Sequence, residues 1–330
     1  IGTNKLPKVV QNIRETILNH GGEIHFNTRV TDFVIKQNKI EALQLQNNTE
    51  LKTERVILAT GHSARDIYQL LHDKNIALQA KSFAMGVRVE HPQQIIDNIQ
   101  YHCSGERHEL LPAAAYSLVQ QVNNRGVYSF CMCPGGFIVP AATANGEVVV
   151  NGMSPSKRNN QFANSGIVVE INADEDLKKY EHFGALKGLE FQKDFEKFAF
   201  VAGGKTQTAP AQRLTDFVEG RLSTSLNDTS YQPGLKSLPM HSLMPKHIGS
   251  RLRKGFAAFG DKMKGFYTEE ANIIGVESRT SSPVNIPRND KLQHPEITNL
   301  FPCGEGGGYA GGIVSAAMDG ERCAEAACNF

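Results

Sequence analysis

The sequence predicts an α/β plus α+β protein in two parts: a discontinuous domain made from the two ends, residues 1–80 and 268–330, and an inserted domain of mixed β-rich and helical character, residues 81–267. Three observations carry this. A chain of 330 residues is longer than one core usually fills. Its two ends share one style, in which a short run (Val56-Ile57-Leu58-Ala59 or Asn299-Leu300-Phe301-Pro302-Cys303) stops at glycine and gives way to a helical pattern. The middle holds short strand candidates with turn residues between them.

Taken in order, residues 5–20 place Val9, Val10, Ile13, Ile17 and Leu18 on one helical face, with Pro7 in the first turn and Gly21-Gly22 as the stop. "EIHF" at 23–26 reads as a short strand. From 29 to 60 the period becomes two, in three strands joined by turns at Gln37-Asn38 and Asn47-Asn48. The last run, 56–59, is uniformly apolar, which suits a strand buried on both faces of a parallel sheet. Thr60-Gly61 ends it, and Ser63 or a neighbour caps a helix over 65–73. In the middle, strands are expected around 83–90, 127–132, 136–139, 147–153 and 167–171, and helices near 186–198 and 210–219. Residues 220–240 read as loop, and 246–265 as a basic amphipathic stretch. The end holds an extended stretch at 273–286, a turn at 287–296, a strand at 299–303 and a helix to about 327.

Composition narrows the class. An apolar fraction of 40% and a charged fraction of 21% are ordinary for a globular protein. A net charge of +1, with no basic stripe interleaved with aromatics, argues against nucleic acid as a partner. No apolar run reaches bilayer length, so no membrane partner is expected. The six cysteines, at 103, 131, 133, 303, 323 and 328, include no C-x-x-C, and a reduced, cytoplasmic compartment is the expectation. The chain opens Ile1-Gly2-Thr3-Asn4 without methionine and enters a helix almost at once, so it reads as processed or truncated.

Six of the nine residues from Gly304 to Gly312 are glycine. Gly306, Gly308 and Gly311 formally make G-x-G-x-x-G, but the dinucleotide phosphate loop also needs a second strand bearing an acid about 20 residues on. The final helix pattern leaves no room for one. No Gly-Lys-Ser/Thr makes it a nucleotide P-loop. Two readings stay open. In one, Glu305 accepts a hydroxyl hydrogen bond from a ribityl or ribose chain, and the helix amides from Gly311 to Ile313 favour negative charge on a flavin's N1–C2=O edge. In the other, the glycines only permit a tight helix–strand corner.

"TERVILATGHSARD" (53–66) resembles the alanine-threonine-glycine strand of FAD proteins of the glutathione-reductase structural type. "GGEIHFNTRVTDFV" (21–34) is similar to the segment before it, and "NLFPCGEGGGYAGGIVSAAMDG" (299–320) to the closing flavin-ribityl motif. With "FAMGVRVEHPQQIID", "YSFCMCPGGFIVPA", "VVNGMSPSKRN" and "VESRTSSPVNIPR" added, the whole chain resembles a bacterial family of uncharacterised FAD-dependent dehydrogenases. The resemblance implies that the ends form an incomplete FAD/NAD(P)-binding dinucleotide domain and the middle a substrate or cap domain. Val30 would contact adenine through its backbone. Thr60 and Gly61 would lie near the cofactor, Glu305 would hold the ribityl chain within a turn begun by Gly304 and Gly306, and Gly311, Gly312 and Ile313 would face the pyrimidine side. Family members also carry an N-terminal G-x-G-x-x-G unit, and "IGTNKL" resembles a motif inside the family sequence, so the chain reads as a C-terminal portion. Its flanking elements are then expected to pack poorly, or to be covered by a neighbour such as a second copy in a homo-oligomer.

The sequence fixes no catalytic residue; Arg279, Glu277 and Cys133 are the candidates. Glu277, Arg279, Thr280 and Ser281 form a polar knot, read either as a Glu–Arg pair or as an arginine holding a substrate carboxylate. Cys131 and Cys133 fall on one face of a strand and are either structural thiols or a redox pair; a disulfide across one strand residue is awkward, and no second Cys/His pair completes a metal site. Arg88, Glu90 and His91 form a weaker polar set, and the lysines and arginines of 246–264 a wet helix face. The expected function is an FAD-dependent, dehydrogenase-like oxidoreductase, with a small-molecule substrate held between the FAD domain and the inserted domain and NAD(P)H or another electron partner. The alternative is a non-catalytic flavoprotein or scaffolding module, this chain itself being unable to hold FAD.

Overall fold

A computed structural model describes residues 2–330; Ile1 lies outside the described residues. The chain is a mixed α/β protein with several sheets. In chain order its elements are α1 (Leu6–Asn19), β1 (Val30–Lys36), β2 (Lys39–Leu45), β3 (Glu50–Lys52), β4 (Val56–Leu58), α2 (Arg65–Asp73), β5 (Gln79–Ala80), β6 (Phe83–Pro92), α3 (Gln93–Tyr101), β7 (Val119–Val122), β8 (Arg125–Pro140), β9 (Val150–Met153) and β10 (Phe162–Ile171). There follow α4 (Lys187–Gly203), β11 (Ala209–Arg213), α5 (Leu214–Glu219), β12 (Leu235–Ser237), α6 (Met240–Leu243), α7 (Lys246–Lys262), β13 (Asn272–Glu277), β14 (Val284–Asn285), β15 (Leu300–Pro302), α8 (Gly304–Gly307) and α9 (Ile313–Cys328).

Two compact units result. A sheet unit takes the described residues up to Thr16, Ala84–Ile171 and Gln192–Ser278; a glycine-turn unit takes Ile17–Phe83, Asn172–Phe191 and Arg279–Phe330. In the sheet unit, β12-β11-β13-β6-β10-β8-β7 form one sheet, with β9 paired to β8. Ala84 to His91 of β6 and all of β13 are buried. The helix α7 packs on this sheet through Ile248, Leu252, Phe256 and Phe259, all fully buried. Their spacing of four, four and three is one helical face, and burying each such side chain contributes about 1.5–3 kcal/mol relative to leaving it exposed.

In the glycine-turn unit, β1, β2 and β3 form an antiparallel meander, β4 and β15 a parallel pair, and β5 and β14 an antiparallel pair. The core joins Phe33, Ile40, Val56, Leu58, Tyr68, Leu71 and Leu300. Asn299 stitches meander to parallel pair: its amide nitrogen donates to the carbonyls of Ile40 and Glu54, both at 2.8 Å, and its oxygen accepts from Ile40 N–H at 2.9 Å.

Four expectations are corrected. Residues 23–26 form no strand, and Phe26 is 68% exposed; among the described residues no strand pairs with them to complete their hydrogen bonds. The β4 strand pairs in parallel as expected but is buried on one face only, with Ile57 40% exposed, because no layer among the described residues covers the other face. Residues 209–213 are a strand rather than a helix start, since pairing with β12 and β13 overrides local helical spacing. The stretches 127–132 and 136–139 belong to one long strand, β8. Neither α3 nor β7 was signalled by the pattern.

Candidate functional site

In the glycine-turn unit the parallel pairing of β4 and β15 brings the turns that follow them side by side. Gly306 lies directly on Gly61: a Cβ there would stand 2.6 Å from the Gly61 carbonyl oxygen, so only glycine allows the approach. Gly308, at φ +90°, lies in the left-handed region that glycine adopts at no steric cost. The buried Tyr68 hydroxyl donates to the Gly306 carbonyl at 2.8 Å and lies 2.9 Å from Ser282 Oγ. Burial pushes this phenol up to about 12, which keeps it a donor.

A second anchor is Asp319 of α9. It accepts the Gly304 N–H at 2.7 Å and pairs with Arg288 at 2.7 and 3.0 Å. Burial opposes charge on Asp319, but Arg288 and the Gly304 amide outweigh it and hold the carboxyl below its ordinary value. The Gly304 N–H is therefore already satisfied. Cys303, Asp319 and Cys323 bring three donor atoms within 4.8 Å of one another, but the Arg288 guanidinium meets this set, reaching Cys323 Sγ at 3.4 Å. The site is neutralised by arginine.

Around these anchors polar groups collect. His62 Nδ1 lies 3.2 Å from Glu305 Oε1, a polar contact without the direction of a good hydrogen bond. Lys81 Nζ donates to the Gly308 carbonyl at 2.7 Å; burial lowers its ammonium, and Glu305 works the other way. Arg279 Nη1 donates to Ser63 Oγ at 3.4 Å. Beyond Tyr309 the surface opens. The helix α9 starts at Gly312 with no side-chain cap, and Gly311 to Ser315 are exposed. The Gly311 N–H reaches Ser315 Oγ at 3.3 Å, and nothing stands within 4 Å of where a Gly311 Cβ would be. The glycines thus divide: Gly306 and Gly308 make the tight corner, while Gly311 and Gly312 lie in the open stretch where the Gly312 and Ile313 amides are accessible.

Of the residues predicted from sequence, Thr60, Gly61, Gly304, Glu305, Gly306, Gly311, Gly312, Ile313 and Arg279 fall in this unit, around these turns and the helix start. Val30 belongs to the meander, opposite Leu45. Glu277 and Cys133 fall in the sheet unit. Glu277 pairs with Arg88, not Arg279: Arg88 Nε donates to Glu277 Oε2 at 2.8 Å, and both side chains are buried. The reason is that β13 ends at Glu277, inside the sheet beside β6, and the chain leaves it before Arg279. Arg88 also donates to Asn164 Oδ1 at 2.7 Å and to the Cys131 carbonyl at 3.3 Å. Cys131 and Cys133 do not share a strand face, because the register between β10 and β8 slips from Asn164/Cys133 to Gly166/Phe130. Cys131 is exposed and Cys133 buried. His62, Tyr68, Lys81, Arg288 and Asp319 were not anticipated; only His62, next to Thr60-Gly61, had a sequence signal.

With this geometry established, comparison with known proteins places the chain. The family described as "FAD-dependent protein, C-terminal domain-like" matches residues 82–280, and the chain belongs to that family. The match stops short of both glycine-containing turns. An "Uncharacterized protein" of Clostridium beijerinckii is 41% identical over 329 residues, covering 98% of this chain and 61% of its own length. The chain thus spans about three fifths of that relative. Among solved structures, the crystal structure of CtdE in complex with FAD is 9% identical with a TM-score of 0.33, covering 95% of this chain and 56% of that one. The tetracycline destructase Tet(51) is 16% identical with a TM-score of 0.23, covering 53% and 38%. Neither likeness is close enough to carry a residue across. No described helix is long and apolar enough to cross a membrane.

Proposed function

We propose that this chain is the larger part of an FAD-dependent, dehydrogenase-like oxidoreductase acting on a small organic substrate. The observation that carries the reading is the bare start of α9, a 16-residue helix whose first residues are exposed, in a chain whose family is FAD-dependent. A helix of that length with an uncapped N-terminus favours a partly negative group. The amides of Gly311, Gly312 and Ile313 would face the pyrimidine edge of the flavin. Glu305, steadied by His62, would accept from the ribityl chain. Thr60 and Gly61 would lie along the cofactor, Gly304 and Gly306 would shape the wall, and Val30 would reach the adenine through its backbone.

In this reading, residues 1–80 and 268–330 form an incomplete dinucleotide domain and 81–267 an inserted substrate domain. The pyrophosphate loop would come from a part of the protein outside these 330 residues, in keeping with the longer relative. Bound FAD supplies the hydride chemistry, with NAD(P)H or another electron partner completing the exchange. Arg279, held at Ser63, would orient a substrate carboxylate. Its place near the Glu305 turn favours an enzyme over a non-catalytic scaffold.

The test is an FAD titration read by the visible flavin spectrum, using this chain, the full-length protein and a full-length Gly311→Val variant. The expected result is flavin held by the full-length protein, and lost or weakened at least tenfold in Gly311→Val with an unchanged unfolding midpoint. If the full-length protein holds no flavin, the reading is wrong. If Gly311→Val binds normally, the helix start is not the flavin site.

A further inference from the structure

We propose that Cys131 and Cys133 form a redox-active dithiol that exchanges with small disulfides, Cys131 attacking and Cys133 resolving. The inference does not depend on flavin binding. It rests on how the sheet unit presents the two thiols.

On a regular strand, residues two apart point the same way and their sulfurs are held apart by the extended backbone. Here the β8 bulge breaks that geometry. Cys131 sits at φ +46°, a conformation uncommon for a residue with a side chain and one found most often where the surrounding structure holds it, as at reactive sites. Cys133 folds back, its thiol 3.3 Å from the Cys131 carbonyl oxygen. The pair is also asymmetric: Cys131 is exposed and Cys133 is buried at 6% exposure. An accessible thiol with a protected one behind it is the arrangement that attack and resolution require.

The surroundings favour charge on the outer sulfur. The neighbouring Cys133 thiol, and after it the fully buried Arg88, outweigh burial and the nearby Glu277 carboxylate and lower the Cys131 thiol to about 6. The neighbouring Cys131 sulfur and burial raise Cys133, which keeps its proton until Cys131 has reacted. Asn164, opposite Cys133 in the β10/β8 register, is fully buried and has a side-chain nitrogen without a hydrogen-bond partner.

The step balances. The Cys131 thiolate attacks one sulfur of R–S–S–R, the S–S bond breaks, and the first RS⁻ leaves and takes a proton from water. Cys133 then gives up its proton to water, and its sulfur attacks Cys131 Sγ. The second RS⁻ leaves and is protonated. Two cysteine thiols are oxidised to one disulfide, and the substrate disulfide is reduced to two thiols.

The probe is glutathione disulfide added to the reduced full-length protein, followed by peptide mapping with mass spectrometry. The expected product is a Cys131–Cys133 disulfide with two glutathiones released per chain, reversed by excess dithiol. Cys133→Ser should trap one glutathione on Cys131, and Cys131→Ser should leave Cys133 unmodified. In the wild type, the rate of Cys131 alkylation by iodoacetamide should rise through a midpoint near 6, well below the free-cysteine value of about 8.5. An unmodified pair in the wild type, or glutathione left on Cys131 at the level found on the exposed Cys328, overturns the proposal, and neither result depends on a variant folding.

Discussion

The two units differ most in what they leave uncovered. In the sheet unit, β6 and β10 run through eight consecutive buried residues each, and α7 closes over the sheet with four fully buried side chains. Its strongly exposed apolar residues lie away from that sheet core: Val10 and Ile13 on α1, each 57% exposed, Val119 at the start of β7, Val201 near the end of α4, and Leu110 and Leu222 in loops. In the glycine-turn unit the parallel pair has one open face. Ile57 is 40% exposed, and at the start of α9 Ile313 and Val314 are each 71% and Met318 51% exposed. An apolar parallel strand calls for a layer on both faces. Eight strands with a helix layer supply the covering; two parallel strands do not. Apolar content alone thus says little about burial, and the stability of these 330 residues should be concentrated in the sheet unit.

The largest test of that contrast removes a buried charge partner. Glu277→Ala leaves Arg88 uncompensated and should cost about 3–5 kcal/mol, read as a lower denaturant midpoint. A loss below about 1 kcal/mol would mean that the sheet unit is less closed than its burial implies.

His91 gives the next effect. It is fully buried, with Nε2 on the Phe266 carbonyl and Nδ1 without a hydrogen-bond partner, and burial lowers its pKa from 6.5 to about 4. The folded value lies below the unfolded one, so the unfolded chain binds the proton more readily. The contribution of neutral His91 is complete above pH 6.5 and is lost as pH falls from 6.5 to about 4. The loss amounts to about 3 kcal/mol. His91→Gln should flatten that part of the stability–pH curve; an unchanged slope would place the titration elsewhere.

Within the glycine-turn unit, Gly306→Ala should cost about 1–3 kcal/mol, because its methyl would meet Gly61 backbone. Gly311→Ala should be nearly neutral, since its methyl enters open space. Equal costs in thermal unfolding would erase the division between packing and open glycines. The smallest effect is expected at the uncovered helix face: Val314→Ser should change stability by no more than about 0.5 kcal/mol. A larger loss would mean that this face is covered in solution.

Several elements were legible because their cause is local. The meander follows from period two and its Asn turns, α2 and α7 from helical spacing, and the strand–turn–helix ending at α9 from a glycine run between two patterns. The turns gathering Thr60, Gly61 and Glu305 could be named from sequence because each follows a short apolar strand. Their support could not: Tyr68, Arg288 and Asp319 reach the turn from distant positions, and no spacing marks them. The Glu277–Arg279 pairing, plausible from two residues of separation, gave way to Arg88 across 189 positions.

The sequence by itself determined the meander, α2, α7 and the strand–turn–helix that ends in α9, because periodicity and glycine act within a few residues. It also set the chemical inventory: a carboxylate in a glycine turn, two closely spaced thiols, and arginines near acids. Tertiary structure decided which of these meet. It separated Glu277 from Arg279, turned Cys131 outward and Cys133 inward at a bulge, and divided six glycines between packing and exposure. Those outcomes depend on which strands pair and which layers cover them, and that is a property of long-range contacts that no local pattern encodes.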